Sequence, residues 1–148
     1  MAMTMNGEVQ LAAPREAVWA KLNDPEVLKV CIPGCEELEK TEDNGFRAVA
    51  KMKVGPVSAR FKGKVMLSDL DPPNGYKISG EGEGGVAGFA KGGATVALAD
   101  KDGGTLLSYN VEAQIGGKLA QLGQRLINGT AKKLADEFFA NFAKAVQS

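Results

Sequence analysis

The sequence contains no histidine, and this absence narrows the chemistry open to the protein. Histidine is the commonest acid–base group near neutral pH and the commonest metal ligand, and none occurs among the 148 residues. The two cysteines, Cys31 and Cys35, offer no second thiol pair for zinc. No pair of carboxylates is placed beside an evident nucleophile. We therefore expect no metal, no cofactor and no catalytic residue.

A net charge and long apolar runs are also absent. The 18 basic and 18 acidic side chains cancel, so we expect no nucleic-acid binding. No apolar run reaches the roughly 18 residues of a membrane-spanning helix, and Met1–Asn6 lacks the basic and apolar parts of a secretory signal. We expect a cytoplasmic protein that spans no membrane.

Cysteine is scarce, and its spacing leaves its state open. In a cytoplasmic protein, Cys31 and Cys35 are expected to be reduced, partly buried thiols in a rigid turn. A disulfide across the corner and a redox role are the alternatives.

The chain does contain enough apolar residues to form one hydrophobic core. With 148 residues and 44% hydrophobic content, it is long enough for one domain and short for two. We expect a single domain over residues 1–148.

Two short helices are predicted near the start of the chain. Thr4–Leu11 alternates weakly like a strand, and Pro14 can begin a helix after it. Asp24 and Pro25 suit the N-cap and first turn of a second helix. Pro33 ends this helix, because the residue before a proline is pushed away from helical angles.

An alternation of period two then predicts an antiparallel meander. Inward apolar residues recur over Phe46–Val54, over Ala59–Leu67 and in three later runs. Gly55-Pro56 and later stretches rich in Gly and Asp are typical of the turns between strands. We expect one half-buried sheet.

The first two strands of this meander, Phe46–Val54 and Ala59–Leu67, form a predicted hairpin whose outer face carries basic residues. These residues either form a binding patch or belong to a solvent-exposed ladder of paired charges. Matching the inner faces places Lys53 opposite Arg60 and Lys51 opposite Lys62. The next strand would bring Glu81 beside Lys62. Pairs of opposite charge favour the ladder.

From Lys118 onward, the apolar residues recur at the spacing of an amphipathic helix. The apolar stripe contains Leu119, Leu122, Leu126, Leu134, Phe138, Phe142 and Val146. We expect a helix of about 30 residues, about 45 Å long, which can lie across a whole curved sheet.

Glycine is frequent, and several of the 19 glycines fall on the predicted inner face: Gly63, Gly80, Gly82 and Gly92. A glycine in a strand removes a side chain from the core. This either allows the backbone elements to approach closely or leaves volume for a ligand, and the sequence does not choose between the two.

Three motifs occur in order along the chain. They are Asp24–Glu36, with its Cys-Ile-Pro-Gly-Cys-Glu run, the Lys53–Val57 turn, and the Gly-Gly-Lys-Leu-Ala-Gln-Leu-Gly run of Gly116–Gly123. Together they resemble the family of the carbon monoxide dehydrogenase G subunit over nearly the whole chain. The resemblance implies the α+β helix-grip fold of START-like (SRPBCC) domains. In that fold a curved antiparallel sheet wraps around a long C-terminal helix, two short helices follow the first strand, and a cavity lies between sheet and helix.

The same resemblance implies a role. Members of this family accompany aerobic carbon monoxide dehydrogenases and related molybdenum hydroxylases, and are associated with placing those enzymes at the cytoplasmic membrane. It therefore implies a non-catalytic accessory protein with molybdenum hydroxylase subunits as partners. Peripheral contact with the inner face of the cytoplasmic membrane is implied as well.

The combined hypothesis is a lipophilic ligand, with a respiratory quinone as the specific candidate, held beneath Leu122 and Leu126 with an opening near Pro33 or Phe89. The predicted ligand-binding residues are Leu28, Ile32, Phe61, Tyr76, Ile78, Phe89, Tyr109, Leu122 and Leu126. One alternative is a START-like cyclase or hydrolase that acts on a hydrophobic molecule through Tyr76, Tyr109 or a carboxylate. Another is an interaction module with a filled core.

Overall fold

The computed structural model describes residues 1–42 and 44–147, so Ser148, the last residue of the predicted domain, lies outside the described part. The strands are β1 (Ala2–Leu11), β2 (Cys35–Lys40), β3 (Gly45–Val54), β4 (Val57–Asp71), β5 (Gly75–Glu83), β6 (Phe89–Lys101) and β7 (Gly104–Gly116). The helices are α1 (Arg15–Leu22), α2 (Pro25–Cys31), α3 (Lys118–Gln121) and α4 (Gln124–Gln147), and a short 3₁₀ turn occupies Gly85–Ala87.

All these strands form one antiparallel sheet in the order β1-β7-β6-β5-β4-β3-β2. Strands β2 to β7 pair with their neighbours in sequence, and β1 joins β7, so β1 and β2 are the two edges. Helix α4 contacts both β1 and β3, toward opposite sides of the curved sheet. This is the helix-grip fold, and that prediction is confirmed.

The corner after α2 forms as its sequence predicts. The Asp24 side chain accepts a hydrogen bond of 3.0 Å from the Glu26 amide and caps the helix. Ile32, before the proline, is extended (φ −76°, ψ 118°). Gly34 has a φ of +77°, and a Cβ there would lie 2.2 Å from the Lys51 carbonyl oxygen. Only glycine fits this turn.

Strand β2 has no counterpart in the sequence prediction. Its residues, Cys-Glu-Glu-Leu-Glu-Lys, are mostly charged and show no clear alternation. As an edge strand it pairs only with β3, so it needs little burial. It also supplies a partner that the sequence did not reveal, because Glu36 accepts a hydrogen bond of 2.6 Å from the Arg60 guanidinium.

The hairpin register differs by two residues from the predicted one. Lys51, rather than Lys53, lies opposite Arg60. The cause is a tight two-residue turn in which Gly55 adopts a φ of +58° and the strands pair up to its flanks. Since a shift of two keeps every side chain on its face, opposite charges still face each other across β4 and β5, but Lys62 lies opposite Glu83 rather than the predicted Glu81.

The long C-terminal helix is confirmed, but its predicted extent of about 30 unbroken residues from Lys118 was wrong. The helix is interrupted after α3, where Gly123 has a φ of +94°, and α4 then runs for 24 residues. A positive φ ends a helix, because it turns the next amide away from the helix axis. The predicted apolar stripe is therefore divided between two helices.

The core consists of two clusters. The larger packs α1, α2 and the C-terminal half of α4 against the sheet, around Leu11, Val18, Leu107 and Phe142. The smaller surrounds Ile127 near the start of α4 and includes Val54, Ile115 and Leu119. Residues of both clusters, among them Leu107 and Phe138 of the larger and Val111 and Ala131 of the smaller, line an open volume where the candidate site lies.

Candidate functional site

An apolar cavity of about 530 Å³ lies between the sheet and the middle of α4. Sites for small molecules usually measure about 300–1,000 Å³, so this volume is sufficient for one. The α2–β2 corner contributes Leu28, Ile32, Pro33 and Leu38, and α4 contributes Ala131, Leu134, Ala135, Phe138 and Phe139. The remaining wall comes from Leu22 of α1 and from residues of β1 and of β3 to β7, among them Met52, Val65, Ile78 and Ala94.

The wall of this cavity is almost free of polar groups. Among its lining residues, only Tyr76 and Tyr109 carry a side-chain oxygen, and none carries a nitrogen or a charge. A charged ligand group would lose its hydration there without gaining a partner, which is strongly unfavourable. The cavity therefore suits a neutral, hydrocarbon-rich molecule.

Tyr76 is the more deeply buried of the two tyrosines. It is buried, and the Trp19 ring packs edge-on against it at 5.2 Å between ring centroids. Burial raises the pKa of Tyr76 to about 12, so its hydroxyl keeps its proton at neutral pH. Tyr76 lines the cavity, and a protonated phenol can donate one hydrogen bond to an acceptor oxygen.

Tyr109 occupies the same lateral row as Tyr76, two strands away. The row runs Gly7, Tyr109, Val96, Tyr76 across β1, β7, β6 and β5. The Tyr109 ring stacks on Phe139 at 5.2 Å between centroids and lies over Gly7, where a Cβ would come within 2.5 Å of its hydroxyl. The stacked pair forms the wall between the cavity and an outer groove beside β1.

Five of the nine predicted ligand-binding residues line this cavity: Leu28, Ile32, Tyr76, Ile78 and Tyr109. The other four, Phe61, Phe89, Leu122 and Leu126, are not among its lining residues.

Phe89 lies on the outer face of the sheet. It shares a row with Lys62 and Glu83, both of which point outward, and its side chain is 48% exposed. The ring covers Gly116, where an added Cβ would clash with it. Loop composition alone did not reveal which face Phe89 takes.

The helix break explains the positions of Phe61, Leu122 and Leu126. The space beneath the start of α4 is filled by the smaller core cluster, against which Phe61 and Leu122 pack. Leu126 is 37% exposed and contacts the Gly55 turn. The open volume lies further along α4, beneath Leu134, Phe138 and Phe139. Leu134 and Phe138 belong to the predicted stripe, but periodicity cannot show where along a helix packing fails.

Some of the inner-face glycines leave volume in the cavity, and others allow neighbouring residues to approach closely, so both alternatives left open by the sequence occur. Gly63 lines the cavity, and a Cβ there would make only ordinary contacts of 3.5 Å or more. Gly80 and Gly92 are different, because a Cβ would meet Val65 at 2.6 Å and the Glu112 carbonyl oxygen at 2.0 Å. These two permit close approach of neighbouring residues.

The thiols and carboxylates do not form a site with the cavity. Cys31 is buried, and burial raises the pKa of its thiol. Burial likewise raises the pKa of Cys35, despite the lowering effects of Lys29 and of a hydrogen bond to the Glu37 carbonyl. Within residues 1–42 and 44–147, no group of three or more Cys, Asp or Glu residues could hold a metal ion. No helix in this part of the chain is long and apolar enough to cross a membrane.

A sheet that grips a terminal helix around an apolar cavity defines a START-like protein. The family model described as the carbon monoxide dehydrogenase G subunit (CoxG) matches residues 7–147. The chain belongs to this family, as its three motifs indicated. No curated protein matches the sequence.

Solved structures agree with the fold. A protein of Geobacillus kaustophilus is 34% identical, with a TM-score of 0.92 over 98% of this chain and 95% of its own. A protein of Thermus thermophilus is 16% identical, with a TM-score of 0.73 over 98% and 97%. The ZhuI aromatase/cyclase of Streptomyces sp. R1128 is 14% identical, with a TM-score of 0.71 over 99% and 94%. The latter two show the fold alone.

Proposed function

We propose that this protein is a non-catalytic carrier of a neutral lipophilic molecule, with a respiratory quinone as the specific candidate. The supporting observation is the 530 Å³ cavity, whose wall carries two phenol groups and no charge. A quinone combines a hydrocarbon chain, which suits the wall, with carbonyl oxygens that can accept a hydrogen bond from the protonated Tyr76.

The apolar wall is sufficient to supply useful affinity. Burying one CH₂ group contributes about 0.8 kcal/mol, so one isoprene unit of five carbons contributes about 4 kcal/mol. Association and ordering of the ligand cost several kcal/mol. With a cost of about 4 kcal/mol, three isoprene units in the cavity would leave about 8 kcal/mol, which corresponds to roughly micromolar binding.

Membership of the CoxG family supports the partner in this proposal. The family's name associates its members with carbon monoxide dehydrogenase, a molybdenum enzyme. A soluble hydroxylase needs a route for its electrons, and a quinone carrier that contacts the inner face of the cytoplasmic membrane would supply one. We propose docking on molybdenum hydroxylase subunits as the second part of the function.

Extraction of the purified protein tests the ligand directly. Mass spectrometry of a solvent extract should recover a lipophilic molecule, and added quinone should quench the fluorescence of Trp19, since Trp19 contacts the cavity residue Tyr76. Absence of both a recovered lipophile and quenching would overturn the carrier proposal. Gene neighbourhood tests the partner, because adjacency to large, medium and small hydroxylase subunits is expected.

The second candidate is an enzyme of the cyclase or hydrolase type, and buried Tyr76 is the observation that favours it. With a pKa of about 12, this phenol can donate a proton but is a poor general base near neutral pH. A Tyr76→Phe or Tyr109→Phe variant that folds normally but loses turnover would establish the enzyme. If the wild-type protein releases its ligand chemically intact and shows no turnover, the carrier function is supported.

A further inference from the structure

The outer side of β1 presents unpaired backbone groups. Met1 and Ile115 exchange both backbone hydrogen bonds, of 3.0 and 2.7 Å. Bonded and non-bonded pairs alternate in an antiparallel ladder, so the odd-numbered residues of β1 bond to β7. The N–H and C=O groups of Thr4, Asn6 and Glu8 therefore point away from the sheet, and no described residue bonds to them.

This edge also lacks several of the usual protections against strand addition. The other edge, β2, has six residues, most of them charged, and a register shift between Cys35 and Glu37. Short length, charge and bulges are the devices that keep exposed edges unpaired. β1 has ten residues with no proline or lysine, and Glu8 is its only charged residue.

A groove of about 690 Å³ runs beside this edge. Residues 3–9 of β1 form one side, and α4 forms the other through Asn128, Ala131, Lys132, Asp136, Phe139, Ala140 and Ala143. The seven strand residues span about 23 Å at 3.3 Å per residue. Lys132 and Asp136 pair with each other at 2.7 Å, whereas Glu8 has no ion-pair partner among the described residues.

We propose that this groove binds an extended segment of a partner polypeptide, which adds to β1 as an eighth strand. The segment's backbone would bond to the outward groups of Thr4, Asn6 and Glu8, as in known cases of strand addition. Small apolar side chains at alternate positions would lie against Ala140 and Ala143, and a Lys or Arg would face Glu8. The proposal does not depend on a ligand in the cavity.

A second copy of the chain suits the groove less well. Pairing two β1 edges would bring a second α4 to a groove that one α4 already borders, whereas a lone segment brings no helix. The same experiment therefore has to separate these two occupants.

Selection from a displayed library of random nine-residue peptides tests the proposal. Asn6→Pro removes one outward N–H without loss of a bond to β7, because edge strands tolerate proline at such positions. Asn6→Thr keeps the N–H and is its matched control, and Ala140→Arg fills the groove from the helix side. Selected peptides should bind the wild type and Asn6→Thr equally, and bind Asn6→Pro and Ala140→Arg at least tenfold more weakly.

Hydrogen exchange supplies a measurement that needs no variant. Bound peptide should slow exchange of the Thr4, Asn6 and Glu8 amides of the wild-type protein. The proposal is overturned if no peptide is selected, if these amides are unaffected, or if the peptides bind Asn6→Pro as tightly as the wild type. A concentration-dependent dimer that Asn6→Pro abolishes would assign the edge to a second copy instead. Unchanged quinone quenching in Asn6→Pro keeps this result separate from the carrier proposal.

Discussion

At the scale of single residues, burial determines the chemistry of Tyr76. The sequence placed this tyrosine on the inner face by alternation alone, and the structure adds that it lies beside Trp19 at the cavity wall. Its pKa of about 12 exceeds the ordinary value of 10.0 because water is excluded. The folded state therefore holds the phenol proton more tightly than the unfolded state does.

This difference predicts a pH dependence of stability. The contribution of Tyr76 is fully present below pH 10 and decreases as the pH rises toward 12, because the unfolded state ionises first. Between pH 9 and 11 the wild type should lose about 1 kcal/mol of unfolding free energy more than Tyr76→Phe does. Urea unfolding of both proteins across this range measures the difference. Equal losses would contradict the raised pKa.

The two thiols lead to a second prediction at this scale. Cys31 is 1% exposed and Cys35 is half-buried, and burial raises the pKa of both. Since only the thiolate reacts, iodoacetamide at pH 7.5 should modify Cys35 slowly and Cys31 only upon unfolding. Mass spectrometry of the products distinguishes the two sites. Rapid modification of both, or a disulfide in the folded protein, would contradict it.

At the scale of elements, two glycines of the terminal region give opposite predictions. Gly123 has a φ of +94°, whereas Gly129 lies inside α4, and neither position would bring a Cβ within 4 Å of another atom. Gly123→Ala should therefore destabilise the protein by about 1–2 kcal/mol through backbone strain alone. Gly129→Ala should stabilise it by up to about 1 kcal/mol through helix propensity.

Thermal unfolding of the two variants measures these effects, and each serves as the control for the other. If Gly123→Ala is neutral, the break between α3 and α4 is not a fixed feature. The sequence could not locate this break, because the apolar period continues through Leu122 and Leu126 on both sides of it. Strand β2 was missed for a related reason, since an edge strand needs little apolar alternation.

At the scale of the whole molecule, the cavity is the volume that inward side chains of the sheet and of α4 leave open, and members of both core clusters line it. Ala94 on β6 and Ala135 on α4 both line it, and neither borders the outer groove. Replacing both with leucine would add six carbon atoms to the open volume. We expect Ala94→Leu with Ala135→Leu to weaken quinone quenching at least tenfold while the protein remains folded.

Ala140→Arg is the matched control, because Ala140 lies on the same helix and lines the groove instead. It should leave the quinone titration unchanged. Fluorescence titration and circular dichroism of the three proteins measure binding and folding separately. Equal quinone binding by all of them would show that the ligand lies outside the cavity.

Local patterns in the chain predicted most of the strands and helices and which side chains face inward, whereas the wrapping of the sheet around the terminal helix was implied by the family resemblance. Alternation placed Tyr76, Ile78 and Tyr109 on the inner face, and the Asp24 cap with the Pro33 corner placed Leu28 and Ile32 beside it. Such features are readable from the chain because a period of two or a proline acts on its immediate neighbours.

The position of the open volume and the exposed edge depend instead on contacts between distant parts of the chain. Phe61 and Leu122 face inward as expected, but they pack against the smaller cluster rather than line the cavity. Phe89 faces outward because of its row in the sheet. Whether inward side chains fill the space between a sheet and a helix depends on their volumes across seven strands and on a helix break. No local pattern in the chain determines that total volume.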